Sequence, residues 1–412
     1  MSDIRPFRAI RPAKGYEDRI AALPYDVYSS AEAREVVKGK PDSFLNIDRP
    51  ETAFPVEQDM YAPEVYAHAK KTLDSMIADG RFVQDEKPYY YLYSLTMDGR
   101  KQTGFVAAAS IWDYKNGIIK KHENTRADKE EDRIRHVDTC DAQTGPIFLA
   151  YRDEDVLSGI MNKYLTNIKP DYDFVSEDGI GHTGWIISDD EDITKISKSF
   201  SEMNEIYIAD GHHRCASACK VGLKRAQENP NHTGNEEYNH FLCVLFPENQ
   251  LKIMDYNRVV KDLNGLSSDE YLKKISEKFS VKEEACQVKP AKQNEFGMNL
   301  QGKWYKLEYL GDKTGDPVKD LDVSILQDNL LGPILGIGDP KTDKRIDFVG
   351  GIRGLSELDR RVKEGCAVAF SMYPTSITEL FDVADAGLLM PPKSTWFEPK
   401  LRSGLYIHHL SR

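Results

Sequence analysis

The clearest capacity for chemistry lies in the run Asp210-Gly211-His212-His213-Arg214. The run follows apolar residues of β-strand character and precedes small residues at helical spacing, which predicts a strand, a tight turn and a helix. The first N–H groups of a helix lack internal partners and lie at the positive end of its dipole. This turn could therefore hold a phosphate group, with the Arg214 guanidinium as a further ligand.

Each residue of this turn has a role in that interpretation. Gly211 lets the backbone approach a phosphate, and the N–H groups of His212 and His213 hold its oxygens. Either histidine could act as an acid or a base, because imidazole titrates near neutral pH. Asp210 would repel a phosphate unless it binds a metal ion or caps the helix, and we assign it to Mg²⁺. A capped helix after a strand, without chemistry, is the alternative.

A second polar segment contains His122, Glu123 and Arg126. His122 and Glu123 come directly after a predicted strand, and we expect them to face the same cleft and to bind the carboxylate and amine of a substrate. For Arg126, the solvated start of a charged helix is the favoured alternative to substrate binding. Thr125 and Asp128 predict an imperfect capping box for that helix.

Two further candidates lie nearer the C-terminal end. Asn257, beside Arg258, follows a predicted strand, which is the usual place for ligand-binding residues in α/β folds. Lys393, Ser394 and Thr395 follow two prolines and project from an extended loop, either as a phosphate-contacting lid or as a structural loop. The upstream glycines of a nucleotide-binding P-loop are absent. The histidine pairs lack a third ligand at metal-like spacing, so no zinc site is predicted.

The elements that must position these residues alternate between strands and helices, which predicts an α/β fold, with α+β as the alternative. From about residue 256 the chain changes character, with helical segments flanking a polar, Lys-rich stretch. We therefore predict a phosphate-binding core with an N-terminal elaboration at 1–255 and an α/β C-terminal portion packed on it at 256–412. The main predicted elements are a helix at 63–79, a hairpin turning at Asp98-Gly99, and strands at 147–151 and 241–246. We also predict a helix near 268–279 and a helix that begins with a Ser376-x-x-Glu379 capping box.

Composition bounds the class of protein. The 412 residues are 30% charged and 40% hydrophobic with a net charge of −12, which disfavours a nucleic-acid partner. No apolar stretch approaches the roughly 20 residues of a membrane helix, and the N-terminus has no apolar signal region, so we expect a cytoplasmic protein with no membrane partner. The six cysteines lack a C-x-x-C pair, which indicates reduced, structural thiols. A homodimer is compatible with the sequence but not specified by it.

Several motifs, in order along nearly the whole chain, resemble one family. The bacterial and archaeal proteins called DUF1015, which have no assigned function, carry similar segments. The segments are Ile4-Arg-Pro-Phe7, Leu23-Pro-Tyr-Asp-Val27, Lys121-His-Glu-Asn-Thr125, Ile208-Ala-Asp-Gly-His-His-Arg214, Tyr256-Asn-Arg258 and Met390-Pro-Pro-Lys-Ser-Thr395.

A strand followed by Gly-x-x-Arg at a helix start also resembles the ParB/sulfiredoxin-like superfamily, at Gly211 to Arg214 here. That resemblance implies a mixed sheet core with helices and a turn that holds nucleotide phosphates, with ADP or ATP as the nucleotide. Some members phosphorylate free serine, some hydrolyse CTP, and one group repairs sulfinic acid. The serine kinases use an N-terminal acid as general base, and Asp26 is the matching candidate by order. Sulfinic-acid repair needs a cysteine where His212 stands, which disfavours that activity.

Together these features predict Mg²⁺-dependent phosphoryl transfer on a small serine-like metabolite, as a kinase or as a phosphatase. A nucleotide- or metabolite-binding regulator without turnover is the alternative. The acidic net charge disfavours a regulator that binds DNA directly. The phosphate donor and the direction of transfer stay open.

Overall fold

The structure is a computed structural model that describes residues 1–411. The chain forms two compact units, one of Met1–Leu251 with the chain from Pro399 onward, and one of Lys252–Glu398. The sequence prediction placed the residues after 255 together. The structure returns the last segment to the first unit, because Leu405 and Ile407 are buried and Ile407 pairs with Ile10.

The described residues form short and long strands throughout the chain. In chain order they are β1 (Ile4–Arg5), β2 (Ile10–Pro12), β3 (Phe82–Gln84), β4 (Tyr90–Met97), β5 (Arg100–Ser110), β6 (Ile119–Lys120), β7 (Ala142–Gln143), β8 (Ile147–Tyr151), β9 (Tyr172–Val175), β10 (Gly181–Ile187), β11 (Ile206–Asp210), β12 (His240–Pro247), β13 (Ile253–Met254), β14 (Tyr256–Val260), β15 (Phe279–Glu284), β16 (Glu295–Leu300), β17 (Lys303–Tyr309), β18 (Ile346–Gly350), β19 (Val368–Met372), β20 (Trp396–Phe397) and β21 (His408–His409).

Helices separate many of these strands. In chain order they are α1 (Glu17–Ile20), α2 (Ser30–Val36), α3 (Leu45–Asp48), α4 (Pro63–Ala78), α5 (Ile111–Lys115), α6 (Ala127–Cys140), α7 (Asp155–Asn167), α8 (Asp190–Glu202), α9 (His212–Glu228), α10 (Ser268–Ile275), α11 (Asp322–Leu326), α12 (Leu355–Lys363) and α13 (Ile377–Asp385). A π-helical turn, Gln327–Leu331, continues α11.

The first unit is built on a mixed sheet with the strand order β6-β11-β8-β12-β5-β4-β10-β9, and β1 pairs with β5. The pairs β6–β11 and β8–β12 are parallel, whereas β8–β11 and β12–β5 are antiparallel. Strand β12 is buried along its whole length, as a central strand covered on both faces requires. The predicted α/β class with a mixed sheet core is confirmed.

Two local predictions agree with the structure in this unit. The β4–β5 hairpin turns through Asp98 and Gly99, whose φ values of 50° and 76° suit the left-handed positions of a hairpin turn. Helix α4 buries Val65, Ala69 and Leu73 on one face, as the apolar spacing predicts.

The predicted capping box at the start of α6 is wrong. The N-cap is Arg126, and its side chain makes no capping hydrogen bond. The Thr125 hydroxyl donates to the carboxylate of Glu130 instead, and Lys220 pairs with the same carboxylate. A buried acid therefore takes the hydroxyl that the sequence pattern assigned to the helix backbone.

The second unit contains a six-stranded antiparallel sheet in the order β15-β17-β16-β19-β14-β18, as far as the described residues show. Helix α13 begins with the predicted capping box, in which Ser376 accepts from the Glu379 N–H and Glu379 accepts from the Ser376 N–H. The helix predicted near 268–279 ends at Ile275, because strand β15 already begins at Phe279.

The six cysteines are free thiols in the part of the chain that the structure describes. Cys215 and Cys219 are buried along α9. Within residues 1–411, none of the helices is both long enough and apolar enough to cross a membrane.

Candidate functional site

The parallel pairing of β6 with β11 brings together the two polar segments that the sequence singles out. Ile119 pairs with Ile206, so both strands end at the same edge of the sheet, where His122 follows one and Gly211 follows the other. The rings of His122 and His212 pack edge to face with centroids 4.5 Å apart. The backbone N–H of His122 donates to Nε2 of His212 at 3.5 Å.

The turn after β11 leaves a helix start without a side-chain cap. A β-bulge between Ile208 and Asp210 shifts the register with β8 and re-aims the strand end. Gly211 is the N-cap of α9, with φ of 95° and no capping hydrogen bond. Asp210 therefore does not cap this helix, and the first N–H groups of α9 are available to an anion.

Two cations flank the Asp210 carboxylate. Lys400 Nζ lies 3.4 Å and Arg214 Nη2 lies 3.6 Å from its Oδ2 atom. Burial by itself raises the pKa of Asp210, but the charges of Lys400 and Arg214 outweigh burial and lower this pKa to about 2. The repulsion that an ionised Asp210 would exert on a phosphate is thus already balanced by the protein.

Arg214 folds back over the turn. Its guanidinium lies so close to Gly211 that a Cβ at that position would be 3.1 Å from Nε. Its Nη1 atom donates to the Pro146 carbonyl at 2.6 Å, and the side chain is 11% exposed. The fork is therefore held at the helix start rather than extended into solvent.

His212 and His213 are neutral hydrogen-bond donors in this arrangement. Burial lowers the pKa of both imidazoles. Nε2 of His212 accepts from the N–H of His122, and Nε2 of His213 accepts from the N–H of Arg126 at 3.0 Å. Each neutral ring must then carry its proton on Nδ1. Both rings can donate to a phosphate oxygen, but their lone pairs are already occupied.

His122 is buried and lacks hydrogen bonds of its own side chain. Neither ring nitrogen has a hydrogen-bond partner of good geometry in the described chain, although the residue is 2% exposed. Burial lowers the pKa of His122 to about 4. An unpaired buried polar group costs about 1–3 kcal/mol, so its presence calls for an explanation such as a bound ligand.

The loop that carries Asp26 lies near His213. The negative charge of Asp26 opposes the effect of burial on the pKa of His213, which places the two side chains within electrostatic reach. Arg49 fixes the loop, because its Nη1 atom donates to the carbonyls of Tyr25 and Tyr28, both at 2.9 Å. Asp26 itself is exposed on this braced loop.

Glu123 and Arg126 border the turn in different ways. Glu123 is half-buried next to His122. The guanidinium of Arg126 is 69% exposed and pairs with Asp128 at 2.8 Å. Arg126 thus contacts His213 through its backbone N–H. Its side chain lies in solvent at the start of α6, which is the alternative that the sequence favoured for this residue.

Asn257 lies in the second unit and does not follow a strand end. It is the second residue of β14, fully buried, with its amide donating to Asp255 at 2.6 Å and accepting from the Met372 N–H at 2.9 Å. The predicted strand-end position is wrong, because the strand begins at Tyr256. The amide of Asn257 therefore holds the sheet together.

The Lys393–Thr395 segment also belongs to the second unit. Lys393 has φ of 60°, and its Nζ lies 5.6 Å from the centre of the Tyr256 ring. Ser394 is buried, and its hydroxyl donates to the Pro391 carbonyl at 2.6 Å. Thr395 is half-buried. The Ser394 hydroxyl thus stabilises the loop, in agreement with the prediction of a structural loop rather than a phosphate-contacting lid.

The sequence does not single out Lys400 as part of the site. It lies about 190 positions from Asp210 along the chain, and no spacing rule connects residues so far apart. Its only sequence signal is a lysine after a proline in the extended segment near the C-terminal end.

Asp210 is the candidate carboxylate for a magnesium ion shared with a phosphate, and such an ion would share it with Lys400 and Arg214. Asp210 supplies a carboxylate that is 35% exposed. Residues 1–411 hold no cluster of three or more His, Cys, Asp and Glu side chains that would enclose a metal ion. Mg²⁺ commonly takes one or two protein carboxylates and completes its shell with water and substrate phosphates. Asp210 could hold Mg²⁺ only in that way.

Residues 4–324 match the model of a family described as protein of unknown function (DUF1015). This chain belongs to the DUF1015 family. Among curated proteins, none matches its sequence. The family assignment confirms the resemblance that the ordered motifs indicate, and the Met390–Thr395 segment lies outside the matched residues.

Solved structures that resemble this DUF1015 protein do so distantly. A free serine kinase variant in complex with ADP is 15% identical with a TM-score of 0.35, over 68% of this chain and 84% of that one. SbnI from Staphylococcus aureus, with a C-terminal truncation, is 11% identical with a TM-score of 0.37, over 71% and 82%. A conserved hypothetical protein from Pyrococcus furiosus is 15% identical with a TM-score of 0.33, over 69% and 90%. Likeness at this level does not establish an activity.

Proposed function

We propose that this protein catalyses Mg²⁺-dependent phosphoryl transfer on a small serine-like metabolite, with the phosphate held at the Asp210–Arg214 turn. The observation that carries the proposal is the uncapped start of α9 at Gly211, with Arg214 and Lys400 beside it. Backbone N–H groups, a helix dipole and two cations converge there, which is the arrangement that an anionic phosphate needs.

Phosphoryl transfer requires mainly positioning and neutralisation of charge. The N–H groups of His212 and His213 would hold phosphate oxygens, and the Nδ1–H groups of the same residues add donors. Arg214 keeps its fork at the helix start through Pro146, so little side-chain entropy is lost when the phosphate binds.

Asp26 is the proposed general base. The lone pairs of His212 and His213 are occupied by backbone donors, so these rings cannot accept a proton in this arrangement. The Asp26 carboxylate lies within electrostatic reach of His213, on a loop that Arg49 braces. It would take the proton from a serine hydroxyl in the kinase direction, or orient a water molecule in a phosphatase.

ADP or ATP would supply or receive the phosphoryl group. Mg²⁺, held by Asp210 together with nucleotide phosphates, would neutralise charge on the phosphate oxygens. His122 and Glu123 lie at the same sheet edge and would contact the substrate, since the ring nitrogens of His122 have no partner of good geometry among residues 1–411.

³¹P NMR of the protein with O-phosphoserine, ADP and Mg²⁺ tests this function. New ATP resonances would establish a reversible serine kinase, and inorganic phosphate alone would establish a phosphatase. Arg214→Ala is the matched variant, in which the loss of a charge-assisted contact should weaken ADP binding by about 1.5–3 kcal/mol. An unchanged spectrum, with ADP binding that depends on Arg214, would refute turnover and favour a nucleotide-binding regulator.

A further inference from the structure

A small cavity lies directly behind the turn, within the first unit. Its wall includes Arg214 from the turn and Pro24 and Tyr25 from the loop that carries Asp26. The cavity is therefore bounded by the group that holds a phosphate and by the loop of the proposed base. An acceptor molecule has to lie between these two groups for a phosphoryl group to reach it.

Two buried side chains of opposite charge line this cavity, Asp48 from α3 and Arg133 from α6. Asp48 is 2% exposed and Arg133 is 6% exposed. They form no ion pair with each other within 4.0 Å, as far as residues 1–411 show. Although burial lowers the pKa of Arg133, the charges of Asp132, Tyr25 and Asp48 raise it, which places Asp48 within electrostatic reach.

Each of these groups is only partly satisfied. Arg133 forms an ion pair with Asp132, to which it donates from Nε at 3.1 Å and from Nη2 at 2.9 Å, and its guanidinium lies 4.0 Å from the centre of the Tyr25 ring. Its Nη1 atom has no hydrogen bond within the described chain. Asp48 accepts from the Thr144 hydroxyl at Oδ1, at 2.8 Å, and its Oδ2 atom likewise has none there. Buried charges normally cost several kcal/mol unless they are paired and fully hydrogen-bonded. Two residues of opposite charge therefore line the same small space, and each keeps one polar side-chain atom without a hydrogen bond in the described chain.

We propose that this cavity binds the charged head of a free α-amino acid. Arg133 Nη1 would hold the carboxylate, and Asp48 Oδ2 would hold the ammonium group. In the proposed function, the hydroxyl of this amino acid projects toward Arg214 and Asp26. The inference that the bound amino acid is a substrate rests on that function, whereas the inference that the cavity binds it does not.

The charges and the size of the cavity define the class of ligand. A free phosphate or a simple carboxylate would be attracted by Arg133 but repelled by Asp48. An amine or a metal ion would be attracted by Asp48 but repelled by Arg133. A zwitterion satisfies both. The cavity volume is about 30 Å³, on a scale where roughly 10–15 Å³ holds one water molecule. The cavity therefore has room for a compact head group only, and the side chain of the amino acid projects from it toward Arg214 and Asp26.

Calorimetric titration of the full chain, without nucleotide, tests the inference with three probes. L-serine carries both charges, ethanolamine lacks the carboxylate, and 3-hydroxypropionate lacks the ammonium group. We expect L-serine to bind at least about 10-fold more tightly than either single-charge probe, because each loses one charge-assisted contact. Equal affinities for the three probes, or no binding of L-serine, would overturn the inference without any variant.

Asp48→Asn removes the charge but keeps an oxygen for the Thr144 hydroxyl. This variant should lose about 10- to 100-fold in affinity for L-serine, and should bind 3-hydroxypropionate no more weakly than the natural protein does. Asp42→Asn is the matched control, because Asp42 is also a buried acid of the first unit, pairs with Arg81 and does not line this cavity. The inference would be overturned if the Asp48→Asn protein is folded, as measured by circular dichroism, and binds L-serine with the affinity of the natural protein.

The outcome separates this inference from the proposed function. Binding of L-serine that is lost in Asp48→Asn, without any ³¹P turnover, would support the cavity and refute the phosphoryl transfer. Turnover of O-phosphoserine with no dependence on Asp48 or on the two charges of the probe would support the transfer and refute the cavity.

Discussion

Asp26 is the residue on which a reaction, rather than binding alone, depends. Asp26→Asn keeps the size of the side chain and removes its capacity to accept a proton. We expect turnover to fall by about 10²–10⁴-fold, the range for loss of a general base, while the Kd for ADP stays unchanged because the phosphate turn is intact. Steady-state kinetics and calorimetric titration with ADP measure the two effects separately.

The stability of this variant is its internal control. Asp26 is exposed, so the thermal unfolding midpoint should stay close to that of the natural protein. Full turnover in Asp26→Asn would assign the base to another group, and His122 would then be the next candidate, because its ring has no occupied lone pair among the described contacts.

Single residues show where sequence reasoning succeeds at the site and where it fails. The Asp210–Arg214 turn is predictable because a strand end, a glycine and a helix start are local signals. Lys400, Asp48 and Arg133 could not be predicted, because each meets the site through contacts far away along the chain. Asn257 was predicted to follow a strand, but it is the second residue of β14, because the boundaries of short neighbouring strands carry no clear local signal.

At the scale of elements, the β11–α9 connection depends on a glycine in a left-handed conformation. Gly211→Ala should cost about 1–2 kcal/mol of stability from its positive φ alone. It should also weaken ADP binding, because the new Cβ would be 3.1 Å from the Arg214 guanidinium and displace it from the helix start. Chemical denaturation measures the first effect, and titration with ADP measures the second.

Gly234→Ala provides the matched control for backbone strain. Gly234 has a similar φ of 89°, but no atom lies within 4 Å of the position of its Cβ. We expect a comparable loss of stability and no change in ADP affinity. If Gly211→Ala binds ADP as well as Gly234→Ala does, the turn is not the phosphate site.

Helices and strands were predictable where their sequence signals are local and no tertiary contact competes with them. The capping box of α13 and the β4–β5 hairpin have such signals, and both are present. The box expected at Thr125 failed because Glu130 and Lys220, which lie outside the local pattern, recruit the hydroxyl. Tertiary contacts with charged groups thus override a weak capping signal.

At the scale of the whole molecule, the chain returns to its first unit near its C-terminal end. Strand β21 pairs with β7, and Ser403 pairs with Ala22. This return carries Lys400 to Asp210. Composition could not reveal it, because the returning segment is short and follows a proline-rich stretch that resembles an ordinary surface loop. A domain boundary drawn from sequence composition alone therefore places Lys400 in the second unit, whereas the structure places it in the first.

Buried neutral histidines should make the free energy of unfolding of the first unit depend on pH. Burial lowers the pKa of His122 from 6.5 to about 4, and burial with the charge of Arg402 lowers that of His182 to about 3. Above pH 6.5 both rings are neutral in the folded and the unfolded chain. As the pH falls from 6.5 towards 4, the unfolded chain binds protons that the folded protein does not, so the free energy of unfolding decreases.

The His122 share of this decrease is about 3 kcal/mol, from 2.5 pKa units at about 1.36 kcal/mol each. His122→Phe keeps a ring against His212 and removes the titrating group. We expect its unfolding free energy to fall about 3 kcal/mol less than that of the natural protein between pH 7 and pH 4, by calorimetry of the unfolding transition. Equal acid sensitivity in the two proteins would mean that His122 is not held neutral, and its imidazole would then enter the site as a cation able to pair with a phosphate.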